Sequence, residues 1–389
     1  MLTLLHGLRW VILIAAAMPL IYYFLAIVAA LRFFRGHASP PRDFSPPVSI
    51  LKPVHGLDRE AHENFSSFCN LDYPEYEILF NVSDERDPAI PVIEKIIRDF
   101  PRVSIRLLIG AKQIGTSDKV NKLSRMASEA RHDVLVISDA DIRVSRDYLR
   151  AVVAPFRDAK VGAVTCLYRG IPSRSYGSVL EAIGNSADFA AGVLVAWLFN
   201  SVDFALGATM ATTKARLAEI GGFEGIAGHF TDDHELGHRI AAKGHRVEIA
   251  SIPVDTVYPI TSVKEYFRHQ LRWCIAIRNA TPSGHLGLIF AHGLAWALLV
   301  AAIAPWHALA LAYAAAYVVL CGLMAWTVGV WGMRDPLLRK RFWLVPAQDA
   351  CAFFILIFSF FTRSVHWRGA QYAIRGKELI PIEPPARSS

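Results

Sequence analysis

The sequence predicts an α/β domain with a mostly parallel sheet, held at a membrane by an N-terminal anchor and by C-terminal transmembrane helices. Between residues 48 and 283, short apolar runs that end in polar turns alternate with helical stretches, which is typical of a parallel sheet with crossover helices. On both sides of this region lie long apolar stretches without charge, and such stretches are typical of membrane-spanning helices.

Residues 1–34 are predicted to form the N-terminal anchor. No charged residue occurs between positions 11 and 31, and about 20 apolar residues cross the hydrocarbon core as a helix. The residues that follow do not form a small-residue cleavage site, so the segment is interpreted as a retained anchor and not as a signal peptide. Residues 35–47 are rich in proline and are predicted to be a linker.

Four strands are predicted next, at residues 48–51, 76–82, 103–109 and 134–137. Helical patterns fill the gaps; Ile93, Ile96 and Ile97 share one helical face, for example. Strands and helices in alternation form right-handed crossovers, and ligands of such sheets bind beyond the carboxyl ends of the strands. We therefore expect the polar residues that follow these strands to form a binding site.

The C-terminal membrane region is predicted at residues 284–362. Residues 286–304 and 308–333 carry no charge and are separated by a short break, which predicts a transmembrane hairpin. The next apolar run is too short to span unless Asp349 enters the bilayer, so we expect three full spans and an interfacial or re-entrant segment. Residues 363–389 are predicted to form a basic tail.

Another apolar run, residues 190–202 of the central domain, is also too short to span the membrane. It either packs in the core or lies against the bilayer.

Basic residues follow the first span and the hairpin, whereas the hairpin tip carries none. This bias places the central domain in the cytoplasm, at the inner or plasma membrane if the chain is bacterial.

The net charge of +7 is not concentrated in runs of Lys or Arg interleaved with aromatic residues, so it indicates anionic headgroups and not nucleic acid as the partner. The five cysteines include no C-x-x-C pair, which argues against a disulfide framework and a zinc site. The oligomeric state is left open.

Asp139 and Asp141 close the fourth predicted strand, with Ala140 between them. Two carboxylates at the edge of a sheet can hold a divalent cation, Mg²⁺ or Mn²⁺, that binds a diphosphate. Asp141 is the better candidate metal ligand, and Asp139 the better partner for a ribose or a metal-bound water. The Asp-x-Asp pattern alone is weak, because acidic pairs also cap helices and occupy turns.

Three further clusters have the residue types of a nucleotide-sugar site. Asp84, after the second strand, could accept hydrogen bonds from a uracil or a ribose, or it could cap a polar turn. Lys119 could reach a phosphate, or it could begin a solvated helix. Asp233 could take a proton from an attacking hydroxyl while Arg272 stabilises a departing diphosphate; alternatively, Asp233 marks a helix N-terminus and Arg272 a membrane anchor.

In their order along the chain, these residues resemble the ceramide glucosyltransferase family, glycosyltransferase family 21, a membrane branch of the inverting, Rossmann-like GT-A glycosyltransferases. The resemblance rests on several ordered segments: 48–58, 71–77, 87–90, Asn121-Lys122-Leu123, Asp139-Ala140-Asp141, Gly221-Gly222-Phe223, Arg272-Trp273 and 367–372.

The resemblance implies a UDP-sugar donor, a divalent cation and a lipid acceptor with a hydroxyl group. It also assigns roles to residues: metal binding to Asp141, uridine contacts to Pro53 and Asp84, the general base to Asp233, and donor or product binding to Arg272 and Trp273. Lys119, Asn121 and Asp139 are expected among the donor-binding residues as well. The chain departs from the family at one position of the motif that ends in Arg272-Trp273. The family has Gln or Arg, then two residues, then Arg-Trp, whereas this chain has His269 at the first position. His269 and its neighbour Gln270 are expected on the donor side, and a His there would carry a charge that depends on pH.

In places, the chain resembles a hopanoid-associated glycosyltransferase branch as closely as it resembles the ceramide branch. The donor and acceptor are therefore either UDP-glucose and ceramide or UDP-N-acetylglucosamine and a hopanoid polyol. A processive polysaccharide synthase normally needs more spans. A non-catalytic lipid-binding or transport protein is the alternative of another class, but the predicted spans hold few ionisable residues, Asp349 and His292 among them, and no candidate catalytic residue is missing.

Overall fold

The computed structural model describes residues 2–36, 43–229, 231–362, 364–367, 370–375 and 378–381, with side chains for 6–36, 43–229 and 231–362. Part of the predicted linker, residues 37–42, lies outside this set. In chain order the strands are β1 (Val48–Pro53), β2 (Tyr76–Val82), β3 (Ser104–Ile109), β4 (Val134–Ser138), β5 (Ile142–Arg143), β6 (Val161–Thr165), β7 (Tyr168–Ile171), β8 (Thr209–Thr213), β9 (Arg246–Ile249), β10 (Val254–Val257), β11 (Ser364–Trp367), β12 (Ala370–Arg375) and β13 (Glu378–Pro381).

The α-helices are α1 (Leu2–Ala15), α2 (Ala17–Gly36), α3 (Ala61–Cys69), α4 (Ile90–Asp99), α5 (Asp118–Glu129), α6 (Tyr148–Val153), α7 (Tyr176–Gly184), α8 (Ala190–Leu198), α9 (Lys214–Glu219), α10 (Asp232–Ala242), α11 (Val263–Ala280), α12 (Pro282–Gly287), α13 (Gly293–Ile303), α14 (His307–Ala325), α15 (Pro336–Lys340) and α16 (Val345–Phe361). A π-helical segment, Asn185–Phe189, joins α7 to α8, and another, Trp326–Gly332, extends α14.

The central sheet has the strand order β3-β2-β1-β4-β8-β6-β9. The predicted parallel arrangement is confirmed: β1 pairs in parallel with β2 and β4, and β2 with β3. Strand β8 runs antiparallel between β4 and β6. A smaller sheet has the order β5-β10-β7, and within the predicted basic tail the backbone forms an antiparallel sheet of β11, β12 and β13.

Both faces of the central sheet are buried. Along β4, Val136 packs into the apolar core on one face, whereas Leu135 and Ile137 pack into the core on the other. The first core includes Ile93 and Ile96 of α4, as their spacing predicted. A sheet covered on both faces exposes only its edges and strand ends, so the carboxyl ends of β1 and β4 are the natural position for a binding site.

The membrane helices match the prediction in outline and differ in three places. The helices long and apolar enough to cross a bilayer are His6–Gly36, Tyr176–Leu198, His307–Gly332 and Phe342–Phe361. The apolar run 190–202 is therefore not isolated, because its helix already begins at Tyr176. The final segment is not too short, because its helix begins before Asp349. The first arm of the predicted hairpin is bent by 52° between Pro282–Phe290 and Gly293–Ile303.

The bend is stabilised by polar side chains of other helices. Leu294 N donates to Asp349 Oδ2 at 2.9 Å, and Gly293 N donates to the Tyr23 hydroxyl at 2.7 Å. Asp349 also pairs with His292 at 3.0 Å and accepts from the Tyr317 hydroxyl at 3.0 Å. These bonds satisfy backbone groups at the start of α13 that a lipid environment could not. Asp349 is thus buried with partners, which lowers the cost of an ionisable residue within this apolar helix.

The α/β domain and the membrane helices share a core. Ile249 of β9 is buried in one apolar cluster with Ala26 and Ala30 of α2 and with Met324 of α14, and small residues allow such close helix packing. At the end of the segment that extends α14, Arg169 Nη1 of β7 donates to the Met333 carbonyl at 2.9 Å. The α/β domain is therefore attached directly to the membrane helices of this membrane protein.

Candidate active site

A cavity of 410 Å³ lies at the carboxyl ends of β1 and β4. The predicted site residues that line it are Pro53, Lys119, Asp139, Asp141, Asp233, His269, Arg272 and Trp273. The other lining residues are Val54, His55, Asp58, Asp118, Lys122, Ala140, Gly207, Thr231, Asp232 and Ala276. The fold therefore brings together residues that are far apart in the chain.

Asp139 and Asp141 follow β4 at the edge of the sheet. The Asp141 carbonyl accepts from Val257 N of β10 at 2.9 Å, which fixes the turn. Burial, together with the negative charges of Asp139 and Asp58, raises the pKa of Asp141 to about 7. The cluster therefore carries excess negative charge, and a bound cation would relieve it.

Two lysines balance part of this charge. Lys52 is fully buried; its Nζ donates to the Asp139 carbonyl at 2.7 Å, and burial lowers its pKa to about 7. Lys119 Nζ lies 2.7 Å from Asp139 Oδ1 and 3.7 Å from Asp232 Oδ2. Burial acts to lower the pKa of Lys119, but the carboxylates of Asp139 and Asp232 outweigh it and raise that pKa above its ordinary value.

The donor set fits a divalent cation that is shared with a ligand. Asp139 and Asp141 offer the oxygen atoms that Mg²⁺ and Mn²⁺ prefer. Over the described part of the chain, no three His, Cys, Asp or Glu residues are arranged to hold a metal ion by themselves. A hard cation held by one or two carboxylates takes its other ligands from phosphates and water. The site thus suits a cation that arrives with a diphosphate.

Asp233 lies in the first turn of α10. Its Oδ1 accepts from His234 N at 2.8 Å, and burial, followed by the charge of Asp232, raises its pKa to about 6. A β-carbon at Gly207 would lie 3.0 Å from Asp233 Oδ2 and 3.7 Å from Asp139 Oδ2. Gly207 therefore keeps the space between these two carboxylates open.

Helix α11 supplies a further wall of the cavity. Ser262 caps its N-terminus by accepting from Glu265 N at 3.2 Å. The guanidinium carbon of Arg272 lies 5.7 Å from the centre of the Trp273 ring, and the Trp273 indole N–H donates to His269 Nε2 at 3.3 Å. Both a cation and an aromatic surface thus face the cavity, as binding of a nucleoside diphosphate would need.

Three predicted site residues do not line the cavity. Asp84 is exposed, and its Oδ1 accepts from Arg86 N at 2.7 Å in a local turn. Asn121 Oδ1 accepts from the backbone N–H groups of Ile114 and Gly115, and so shapes the loop before α5. Gln270 Nε2 donates away from the cavity to Glu181 Oε1 at 2.8 Å. These side chains support neighbouring structure, and their assignment to the donor remains an expectation.

Sequence reasoning missed Asp58, Lys52 and Gly207. Asp58 follows β1, which is the neighbour of β4 in the sheet, so its place after a strand was the signal. Lys52 lies within a strand among apolar residues, and a Lys in a buried strand is itself unusual. No local sequence pattern identifies Gly207 as a site residue, because its role depends on the carboxylates of Asp139 and Asp233, which are distant from it in sequence.

A family model described as "Glycosyl transferase family 21" matches residues 11–380. Ceramide glucosyltransferase 3 of Caenorhabditis elegans is 26% identical over 62% of this chain and 52% of its own length. Ceramide glucosyltransferase 1 of the same organism is 26% identical over 61% of this chain and 51% of its own length. The chain spans about half the length of these relatives. They do not support the hopanoid alternative.

Among solved structures, the mannosyltransferase PcManGT from Pyrobaculum calidifontis, in complex with GDP-Man and Mn2+, superposes with a TM-score of 0.54 at 20% identity. The match covers 90% of this chain and 98% of that one. It shows a shared glycosyltransferase fold, which confirms the predicted GT-A architecture. The family match over nearly the whole chain establishes that this glycosyltransferase belongs to glycosyl transferase family 21.

Proposed function

We propose that this glycosyltransferase transfers glucose from UDP-glucose to the hydroxyl group of ceramide and forms a β-glucosyl lipid. One observation carries the proposal: Asp139, Asp141 and Asp233 line a single cavity, and a β-carbon at Gly207 would lie 3.0 Å from Asp233 Oδ2 and 3.7 Å from Asp139 Oδ2. Single displacement needs the leaving group on one side of the sugar and a base on the other. The names of the matched relatives support glucose and ceramide as the substrates.

Asp141 and Asp139 would hold the divalent cation, and Lys119 and Arg272 would face the diphosphate of the donor. When bound, the cation neutralises charge on the diphosphate as it leaves. Lys119 already pairs with Asp139 at 2.7 Å, so its ammonium group is placed at the carboxylate side of the cavity. Positive groups fixed in advance stabilise the departing UDP without reorganisation during the reaction.

Asp233 is the proposed general base. Its carboxylate takes the proton of the acceptor hydroxyl while that oxygen bonds to the anomeric carbon and the bond from that carbon to the UDP oxygen breaks. A pKa of about 6 leaves Asp233 ionised near neutral pH and more basic than an ordinary aspartate, which favours proton transfer. Attack opposite the leaving group inverts the anomeric configuration.

A membrane lipid is the proposed acceptor because α11 links the cavity to the membrane helices. Arg272 and Trp273 of α11 line the cavity, and farther along the same helix Arg278 Nη2 donates to the Thr362 carbonyl at the end of α16 at 2.9 Å. We also propose that the catalytic domain is cytoplasmic. Arg334 follows a membrane helix at the point where Arg169 attaches that domain, and the positive-inside bias favours the cytoplasm for such a basic residue.

A direct assay tests the proposal. Membranes that contain the expressed chain are given radiolabelled UDP-glucose or UDP-N-acetylglucosamine, each with ceramide or with a hopanoid polyol, and products are identified by mass spectrometry. We expect glucosylceramide, and none from membranes without the chain. A different sugar or lipid in the product would overturn the proposed substrates, and free sugar without any glycolipid would overturn lipid transfer.

A further inference from the structure

A buried carboxylate of α7 lies directly behind the α11 wall of the cavity. Glu181 is 2% exposed and belongs to the apolar helix Tyr176–Leu198. Its Oε1 accepts from His269 Nδ1 at 2.7 Å and from Gln270 Nε2 at 2.8 Å. A carboxylate in such surroundings is costly unless it is paired, and both of these partners come from the segment that carries Arg272 and Trp273.

The hydrogen bonds define the state of the His269 ring. Its Nε2 accepts from the Trp273 indole N–H at 3.3 Å, so the proton of the neutral ring is on Nδ1, where it is donated to Glu181. Positions 269 and 273 are one helical turn apart and share a face of α11. Glu181, His269 and Trp273 therefore form a continuous chain of hydrogen bonds that ends in the cavity, which both His269 and Trp273 line.

Close packing of the α7 backbone against α11 fixes the position of Glu181 relative to His269. A β-carbon at Gly177 would lie 2.4 Å from the Ser262 carbonyl, so α7 packs directly against the start of α11. Glu181 Oε2 is buried and has no hydrogen-bond partner among the described residues. Both hydrogen bonds that Glu181 makes are therefore through Oε1, to α11, and the side chain has no second anchor that would replace them.

We propose that Glu181 is a positioning residue for the active site, which sets the tautomer and orientation of His269 and, through it, the place of the Trp273 indole. Glu181 itself does not line the cavity, so it acts on the site through His269. The inference rests on the proposed function for its catalytic consequence, whereas the placement of Trp273 is a property of the free protein.

The first test observes Trp273 directly. The full chain is purified in detergent with its nine tryptophans replaced by 5-fluorotryptophan, and the ¹⁹F resonance of Trp273 is assigned with Trp273→Phe. We expect Glu181→Gln to shift or broaden this resonance. Glu77→Gln is the matched control, because Glu77 is 1% exposed and bonded to Ser49 and Arg106 away from the cavity; it should leave the resonance in place. An unmoved Trp273 resonance in Glu181→Gln overturns the inference.

If Glu181→Gln fails to fold, His269→Ala can be used instead. It interrupts the same series of hydrogen bonds, while Gln270 still pairs with Glu181. This variant should move the Trp273 resonance too, and an unchanged resonance overturns the inference. This result does not depend on any transfer reaction, so it decides the inference even if the proposed substrates are wrong.

The second test is a double-mutant cycle in the transfer assay. Glu181→Gln should lower kcat by about tenfold or more, with the KM for UDP-glucose changed less than about threefold. In a His269→Gln background no imidazole remains to orient, so the same change should lower kcat by less than about threefold. An equal loss in both backgrounds would mean that Glu181 is merely structural, and would overturn the inference.

Discussion

Gly207 lies so close to Asp233 that a β-carbon at position 207 would be 3.0 Å from the Asp233 Oδ2 atom. The nearest groups to that position are the carboxylates of Asp233 and Asp139, and no backbone atom is among them. Because residue 207 is a glycine, the space between the proposed base, Asp233, and the proposed metal ligand Asp139 is not filled by a side chain.

Gly207→Ala is therefore expected to reduce transfer by about tenfold or more, because a displacement of about 1 Å at reacting groups is costly. The fold should persist, since the three atoms nearest to the new methyl group belong to the side-chain carboxylates of Asp233 and Asp139 and not to the backbone. Gly228→Ala is the matched control, as a β-carbon there has no atom within 4 Å. Wild-type kcat and unchanged donor affinity in Gly207→Ala would show that the space is not used.

The rate should depend on pH through Asp233. Burial raises its pKa to about 6, and only the ionised carboxylate can accept a proton. With saturating donor and metal, we expect kcat to rise about tenfold per pH unit below about pH 6 and to level off above it. Initial rates between about pH 5 and pH 8 measure this profile. A rate that falls as the pH rises through 6 would contradict the assignment.

Asp141→Asn should impair metal-dependent donor binding. The substitution removes one of the two carboxylates offered to the cation, and we expect UDP affinity in the presence of Mn²⁺ to fall by about tenfold or more. Isothermal titration of UDP with and without Mn²⁺ makes the measurement. Asp99→Asn, at an exposed aspartate that ends α4 and does not line the cavity, is the matched control and should bind UDP like the wild type. Equal metal dependence in Asp141→Asn and wild type would exclude Asp141 as a ligand.

Asp349→Ala should destabilise the membrane region. The carboxylate holds His292, Tyr317 and the start of α13, and removing one partner from a buried polar pair costs about 3–5 kcal/mol. Unfolding in a denaturing detergent titration would report the loss. Asp43→Ala is the control, since Asp43 forms an exposed ion pair with Arg157 and its loss should leave the midpoint nearly unchanged. A midpoint for Asp349→Ala that equals that of Asp43→Ala would contradict the role of this network.

The sequence predicted the parallel strands well because each is a short apolar run with a clear end. All four predicted runs are strands of the central sheet. What local pattern did not reveal is strand order: β1 lies between β2 and β4. Asp58, which follows β1, therefore lines the cavity beside Asp141, whereas Asp84, which follows β2, does not.

The membrane region was predicted less well for two physical reasons. A window of apolar residues cannot show that a helix continues through polar positions, as it does from Tyr176 to Leu198 past Glu181 and Asp188. Nor can it show that a buried charge has partners, as Asp349 has in His292 and Tyr317. Both depend on contacts between residues distant in sequence.

Asp233 is proposed to activate the acceptor hydroxyl in the cavity that also holds the donor. The most direct measurement compares Asp233→Asn with the wild type for lipid glycosylation and for UDP binding in the presence of Mn²⁺. We expect transfer by Asp233→Asn to fall by about a hundredfold or more, while the Kd for UDP stays within about threefold of the wild-type value. Transfer at the wild-type rate by Asp233→Asn, or loss of UDP binding together with transfer, would contradict it.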